Sequence, residues 1–289
     1  MPLQDFFQIP LAPESRKYTA FLSHDKKYQY KVLPMGLSTS PQAFCALVTM
    51  IFNKLKGKCV IPYLDDLLVL SQSEEQHFED LESVFKALRQ ANLKLKRKKC
   101  EFFLDRIEFL GMVVSPQGIQ PCPTKIASLK EFKRPKTITQ VRSFNGLCQF
   151  FKRFIKNFSE IIRPLYDLTR KDHAFKWTNE CEKSFETLKN SICDDALLHY
   201  PNLNEEFSLA TDASGISLGA TLSQKDKNGI LRPVAFAGRC LRTHERNLGI
   251  TQRELLAVVY AVKHFRHYLE GKHFQLYTDH SALIQLLTN

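Results

Sequence analysis

Two adjacent carboxylates, Asp65 and Asp66, interrupt the apolar run Val60-Ile61-Pro62-Tyr63-Leu64-Asp65-Asp66-Leu67-Leu68-Val69-Leu70. Side chains on a strand alternate between faces, so neighbouring acids serve one site only where the chain turns. The run therefore predicts two buried strands joined by a tight hairpin with both acids at its tip. Two readings of the pair stand open. Asp is a common turn residue, so the acids can be punctuation. Alternatively, a rigid hairpin holds one or both against a divalent metal, which suits phosphoryl transfer. A second set of acids repeats the theme: Asp212 follows Phe207-Ser208-Leu209-Ala210-Thr211, Glu254 lies in a long apolar helical pattern, and Asp279 follows Phe274-Gln275-Leu276-Tyr277-Thr278. Two acids at neighbouring strand ends and one from a helix packed across them can converge on divalent cations. Spacing alone favours the ordinary explanation, that helices carry Glu and strand ends carry Asp.

The elements that position these residues change character along the chain. Residues 6–11 and 28–33 read as short strands. A Pro-Gly turn at Pro34-Met35-Gly36 then leads into a helix with Pro41 in its first turn, capped by Ser40 or Thr39, running to about residue 55 and ended by Gly57. Beyond the hairpin, residues 73–92 form an amphipathic pattern with Phe78, Leu81, Val84, Phe85 and Leu88 on one face. Residues 107–114 predict a second hairpin bent at Gly111, and 115–123, with Pro116, Gly118, Pro121 and Pro123, a linker. Residues 124–196 read as helices, with capping boxes at Thr137-Ile138-Thr139-Gln140 and Asn179-Glu180-Cys181-Glu182, the latter opening a helix through Ile192. Strands return at 207–213, 219–223 and 234–238, followed by a helix over 251–268, a strand over 274–278 and a further helix. This last unit is mixed α/β and reads as cut off before its end.

At 289 residues, with 44% hydrophobic content, the chain can fill two or three cores. It has no apolar run long enough to cross a bilayer and no signal pattern, which points to an intracellular protein, in a cytoplasmic particle or the nucleus, without a membrane partner. The eight Cys form no CxxC pair and no zinc spacing, so packed, reduced thiols are expected. A formal charge of +11 points to a polyanionic partner. The excess gathers at Lys94-Leu95-Lys96-Arg97-Lys98-Lys99, over residues 130–136, and at Lys152, Arg153 and Lys156, with Phe132, Phe144, Phe150, Phe151 and Phe154 interleaved. Most of those Phe are expected to face a core.

Tyr63-Leu64-Asp65-Asp66 resembles the catalytic box of reverse transcriptases, and Leu33-Pro34-Met35-Gly36-Leu37-Ser38-Thr39-Ser40-Pro41-Gln42-Ala43-Phe44 the helix-opening motif that precedes it in gypsy-like LTR retrotransposon polymerases. Phe109-Leu110-Gly111 sits where that family has its primer grip, with the basic stretch at the preceding palm motif. Thr211-Asp212-Ala213-Ser214, Gln252-Arg253-Glu254-Leu255-Leu256-Ala257 and Tyr277-Thr278-Asp279-His280 are similar to the ribonuclease H domain fused to those enzymes.

The resemblance covers essentially the whole chain in order. It implies an α+β multidomain fold: a partial palm at 1–115 without fingers, a helical thumb/connection at 116–200, and a ribonuclease H-like domain at 201–289 lacking its C-terminal part. It implies Asp65 and Asp66 as catalytic metal ligands of an RNA-directed DNA polymerase, and Asp212, Glu254 and Asp279 as those of a ribonuclease H. Both work with Mg²⁺ or Mn²⁺ by two-metal phosphoryl transfer. The partners it implies are RNA template, DNA primer, RNA/DNA hybrid and deoxynucleoside triphosphates. Phe6 matches the aromatic that rejects a 2′-hydroxyl. Gly36, with Pro41 and Gln42, matches the segment close to the nascent base pair.

The family's first palm motif carries a further Asp, and aligning Phe6-Phe7-Gln8-Ile9 to it puts Met1 or Pro2 at that position, with Asp5 a poor substitute. The expected product is thus a fragment impaired in both activities. The alternatives are a catalytically silent nucleic-acid-binding remnant or a remnant with weak ribonuclease H activity alone. Without fingers, apolar side chains near Phe6 and Tyr28 are expected to be uncovered.

Overall fold

In the computed structural model, which describes residues 6–170, 175–191 and 197–283, the chain separates into two units, 1–104 and 105–289. The first contains β1 (Phe21–Ser23), β2 (Lys26–Tyr28), α1 (Ser40–Ile51), β3 (Val60–Tyr63), β4 (Asp66–Val69) and α2 (Glu74–Gln90). Apolar residues from α1, both hairpin strands and α2 make its core, with Phe44, Phe52, Val60, Leu67 and Val84 almost wholly buried. Ser73 begins α2 as a true N-cap, its hydroxyl accepting from the Gln76 amide at 3.2 Å. On α1 neither expected cap acts as one: Thr39 accepts no capping bond, and the buried Ser40 hydroxyl donates instead to the Pro34 carbonyl at 2.7 Å.

Three expectations for this unit need correction. Neither residues 6–11 nor residues 28–33 form a strand; Phe6–Gln8 is a 3-10 turn, β2 ends at Tyr28, and the two segments meet at one antiparallel bridge, Pro10 to Val32. Pro10 has no amide to extend a ladder. The first helix ends at Ile51, earlier than its periodicity suggests, and Gly57, at φ +78°, turns the chain toward β3. Of the expected face of α2, Leu81, Val84 and Leu88 are buried, whereas Phe78 and Phe85 are exposed and meet Phe103 and Phe102. Exposed Phe7, Phe21, Tyr28 and Tyr30 stack on one another at 5.5–6.4 Å, so the apolar surface near Tyr28 is uncovered among the described residues.

The second unit opens with a three-stranded meander, β5 (Ile107–Phe109), β6 (Met112–Ser115) and β7 (Gly118–Pro121). The β5–β6 turn has positive φ at both Leu110 and Gly111, the backbone twist a two-residue hairpin favours. The segment expected as a linker is therefore largely a strand. Gly118 allows it, because a Cβ there would sit 2.2 Å from the Leu198 carbonyl oxygen that receives the Ile119 amide.

Helices α3 (Pro123–Lys130), α4 (Ile138–Phe151), α5 (Phe158–Ile161), α6 (Arg163–Asp167) and α7 (Asn179–Asn190) enclose a core around Phe144, Phe151, Ile162, Leu165 and Phe185. Thr137 caps α4 as its motif predicts, while the cap of α7 is Thr178, one residue earlier than expected. The helix ends at Asn190, with Ser191 as its C-cap, short of the expected Ile192, which itself lies outside the described residues.

A mixed sheet follows, ordered β10–β9–β8–β11, from β8 (Phe207–Ala213), β9 (Ser217–Lys225), β10 (Leu231–Cys240) and β11 (Phe274–Tyr277), with α8 (Ile250–His264) and α9 (Arg266–Leu269) before the last strand. β8–β9–β10 is antiparallel and β11 joins β8 in parallel. The seven described cysteines are free thiols, and among the described residues no helix is long and apolar enough to cross a membrane.

Candidate active sites

The apolar residues flanking the first acid pair fix its position. Val60, Leu67 and Leu68 are buried, and register pairs Tyr63 with Asp66, so the turn consists of Leu64 and Asp65. Asp66 thus opens β4 rather than sharing the tip, and both acids are exposed. Leu64 carries φ +48°, left-handed backbone that disfavours a side chain with a Cβ. Phe6 sits against Phe44 of α1, ring centroids 5.1 Å apart and nearly perpendicular. Gly36 takes φ +93° with open space where a side chain would project, while Pro41 and Gln42 are exposed on the first turn of α1. Phe109, Leu110 and Gly111 belong to the second unit, with Leu110 exposed at the β5–β6 turn. Met1, Pro2 and Asp5 lie outside the described residues.

In the second unit, parallel register brings the distal acids to one edge. Tyr277 pairs with Ala210, and Asp279 and Asp212 each lie two residues beyond that last pair, so the same strand ends carry both. Helix α8 crosses β8 and β9 with Glu254, Ala257, Val258 and Ala261 as its buried stripe. The small Ala257 and Ala261 let the helix approach the sheet, and Glu254 follows them inward. Its carboxyl is pushed up from the ordinary value by burial first, then by the negative charges of Asp279 and Asp212. His280 and a hydrogen bond from the Ala213 backbone oppose that shift. Glu254 Oε2 is buried with no hydrogen-bond partner.

Among the described residues no three His, Cys, Asp or Glu side chains close into a ready metal shell. The three acids are nevertheless near enough to repel, and an unpaired buried carboxylate oxygen is what a cation would satisfy, so the donor set fits a divalent metal.

One contact at this site had no counterpart in the sequence reading. Thr251 Oγ1 and His280 Nε2 lie 2.8 Å apart, tying the start of α8 to the residue after Asp279. His280 closes the Tyr277-Thr278-Asp279-His280 motif, and the 29 residues separating it from Thr251 hide the contact from any local pattern.

Residues 4–114 match the family model for reverse transcriptase (RNA-dependent DNA polymerase), and residues 177–276 that for the RNase H-like domain found in reverse transcriptase. The chain is 37% identical over 99% of its length to the retrovirus-related Pol polyprotein from transposon 412 of Drosophila melanogaster and 38% over 96% to that from transposon 297. It is 33% identical over 91% to the transposon Tf2-3 polyprotein of Schizosaccharomyces pombe. The chain belongs to the reverse transcriptase and ribonuclease H region of the retrotransposon Pol polyprotein family.

It spans 23%, 26% and 20% of the length of those three polyproteins. Its fold, α+β and multidomain, is that of foamy viral protease-reverse transcriptase. It matches the structure of a dRH form in complex with dsDNA at TM-score 0.86 and one in complex with an RNA/DNA hybrid at 0.82, each 24% identical, covering all of this chain and 50% and 39% of theirs. Within the Pol family assignment, the reverse transcriptase match contains Asp65, Asp66 and Phe109 to Gly111. The RNase H-like match contains Asp212 and Glu254 and ends before Asp279.

Proposed function

We propose that this Pol segment works on nucleic acid at two acid sites, extending a DNA primer on an RNA template at Asp65 and Asp66 and cutting the RNA strand of a hybrid at Asp212, Glu254 and Asp279. The observation that carries the reading is buried Glu254, its Oε2 unpaired and its charge opposed by the other two acids. A divalent cation, Mg²⁺ or Mn²⁺, supplies charge stabilisation to the reacting phosphate when bound at either site.

The chain's own residues do the rest. Glu254 forms the buried floor of the nuclease site, with Asp212 and Asp279 at its rim. The contact between Thr251 and His280 holds the start of α8 against the chain segment that carries Asp279. In the first unit, Phe6 is braced on Phe44 to meet the sugar of an incoming deoxynucleoside triphosphate. Gly36, with exposed Pro41 and Gln42, leaves room for the base pair. In the second unit, Phe109, Leu110 and Gly111 are the residues for holding the primer. The proposed extents are a palm at 1–115, a thumb/connection at 116–200 and a ribonuclease H-like domain at 201–289. The family's further palm carboxylate falls at Met1 or Pro2, neither of which is acidic. We infer that primer extension by this chain alone is impaired.

The test uses the whole chain with a labelled RNA/DNA hybrid and Mg²⁺ or Mn²⁺. Cleavage by the wild type that is abolished in Asp212→Asn is the expected result; cleavage that survives the substitution removes the assignment. Robust primer extension by the same preparation would overturn the impairment.

Exposed Arg97, Lys98, Lys99, Lys133, Arg134 and Lys136 favour a second reading, a silent nucleic-acid binder. That reading requires hybrid affinity that falls steeply with salt while no cleavage is detected under any metal.

A further inference from the structure

A cavity of about 340 Å³ in the second unit, at the small end of the range for ligand pockets, lies where α4 to α6 meet β10 and the 3-10 turn His244–Asn247. None of the three nuclease acids lines it. Its charged lining is Lys152, Arg163, Arg170, Arg239 and Arg246 against a single acid, Asp167.

The hydrogen-bond and ion-pair pattern sorts these cations into two groups. Asp167 takes Arg170 at 3.0 Å and Arg163 at 3.6 Å, and Arg163 also donates to the Ile216 carbonyl. Arg239 forks onto Glu245 at 2.6 and 2.9 Å. Lys152 and Arg246 make no ion pair or side-chain hydrogen bond among the described residues, and the Arg246 Nε–H is fully buried without a partner. Burial pulls the Lys152 ammonium down, as expected of a cation lacking an acid beside it. Cys240 adds no negative charge. Burial raises its thiol, which donates to the Ser159 carbonyl at 3.4 Å.

Buried donors without acceptors are uncommon in folded proteins, and a cluster of guanidinium forks with one ammonium matches a tetrahedral oxyanion better than a flat carboxylate. We propose that this cavity is a phosphoryl-anion site in which Lys152 and Arg246 grip the phosphate oxygens while Arg163, Arg170 and Arg239 line the wall. The phosphoryl group comes either from free pyrophosphate or from the backbone of a bound nucleic-acid strand.

The test is calorimetric titration of the whole chain with inorganic pyrophosphate, alongside anisotropy with a labelled RNA/DNA hybrid at several salt concentrations. Neither readout depends on cleavage, so the outcome is separate from that of the nuclease reading. For a free-anion site, pyrophosphate binds saturably and the double variant Lys152→Gln/Arg246→Gln weakens it by about tenfold or more. For a backbone site, pyrophosphate does not bind, while the double variant weakens the hybrid and reduces its salt slope by about two. Asp167→Asn, which releases two guanidinium groups, is expected to strengthen whichever ligand binds, and it reads in the opposite direction from a folding defect. Unchanged affinity for both ligands in the double variant, or no gain in Asp167→Asn, overturns the proposal.

Discussion

The two acid sites of this chain are built on opposite principles. The hairpin presents Asp65 in its turn and Asp66 at the start of β4 to solvent, and the unfavourable element there is backbone, the left-handed Leu64. The sheet site buries Glu254 beneath the ends of β8 and β11, and the unfavourable element is electrostatic, an unpaired oxygen facing like charges. A buried acid facing two others is held in readiness by the fold, and a cation would relieve it.

The strongest test of that contrast is Glu254→Gln. Loss of the carboxylate is expected to reduce hybrid cleavage on the order of 10³-fold. The same change is expected to stabilise the metal-free chain. A carboxyl raised above its unfolded value penalises folding as pH climbs from the unfolded toward the folded value, and the penalty is complete above both. The variant should therefore melt higher than wild type near pH 8, by about 2–4 °C for each kcal/mol relieved, with the gap closing below the ordinary carboxylate range. A drop in melting temperature at pH 8 would mean that Glu254 is a paired structural acid, and the contrast would fail.

Glu245 sharpens the comparison from within the same unit, because there burial comes with a partner. The Arg239 fork, followed by the Arg242 backbone amide, holds its carboxyl down at about 2. A depressed carboxyl adds stability that is present above its unfolded value and lost as pH falls toward the folded one. Wild type should lose this contribution between about pH 4.5 and about pH 2. Glu245→Gln should cost about 1–3 kcal/mol at neutral pH in urea denaturation and flatten that acid limb. If Gln in place of Glu at positions 254 and 245 shifts stability in the same direction, burial alone governs both.

Much of this architecture was legible because periodicity and turn chemistry are local. Alternation around Asp65, the stripe of α8 and the strand at 207–213 each put their elements in place, and ordered motifs pointed to the family. What was hidden depends on long-range pairing. The strand at Gly118 is specified by Leu198, eighty residues away, and its Pro and Gly content reads as a linker until that partner is known. Residues 6–11 failed in the reverse sense, since a short apolar piece suggested a strand whose ladder Pro10 cannot donate to. The site acids were nameable from motifs, whereas the burial of Glu254 and the contact between Thr251 and His280 arise only from the parallel register of β8 and β11.

The smallest expected effect probes the hairpin side of the contrast. A non-glycine residue in left-handed backbone costs about 1–2 kcal/mol, and glycine gives back about 0.5–1 kcal/mol through its freer unfolded chain. Leu64→Gly should therefore stabilise the hairpin by about 1 kcal/mol or less, since Leu64 is 44% exposed and loses little burial. Leu64→Ala keeps the Cβ and should be close to neutral, while the β-branched Leu64→Val should destabilise. Hydrogen exchange at the β3 and β4 amides isolates the effect from the rest of the chain. Slower exchange in the Gly variant, unchanged exchange in Ala and faster exchange in Val is the pattern that backbone strain requires. Equal exchange in all three would place no strain at Leu64, leaving the hairpin as an ordinary turn that happens to carry two acids.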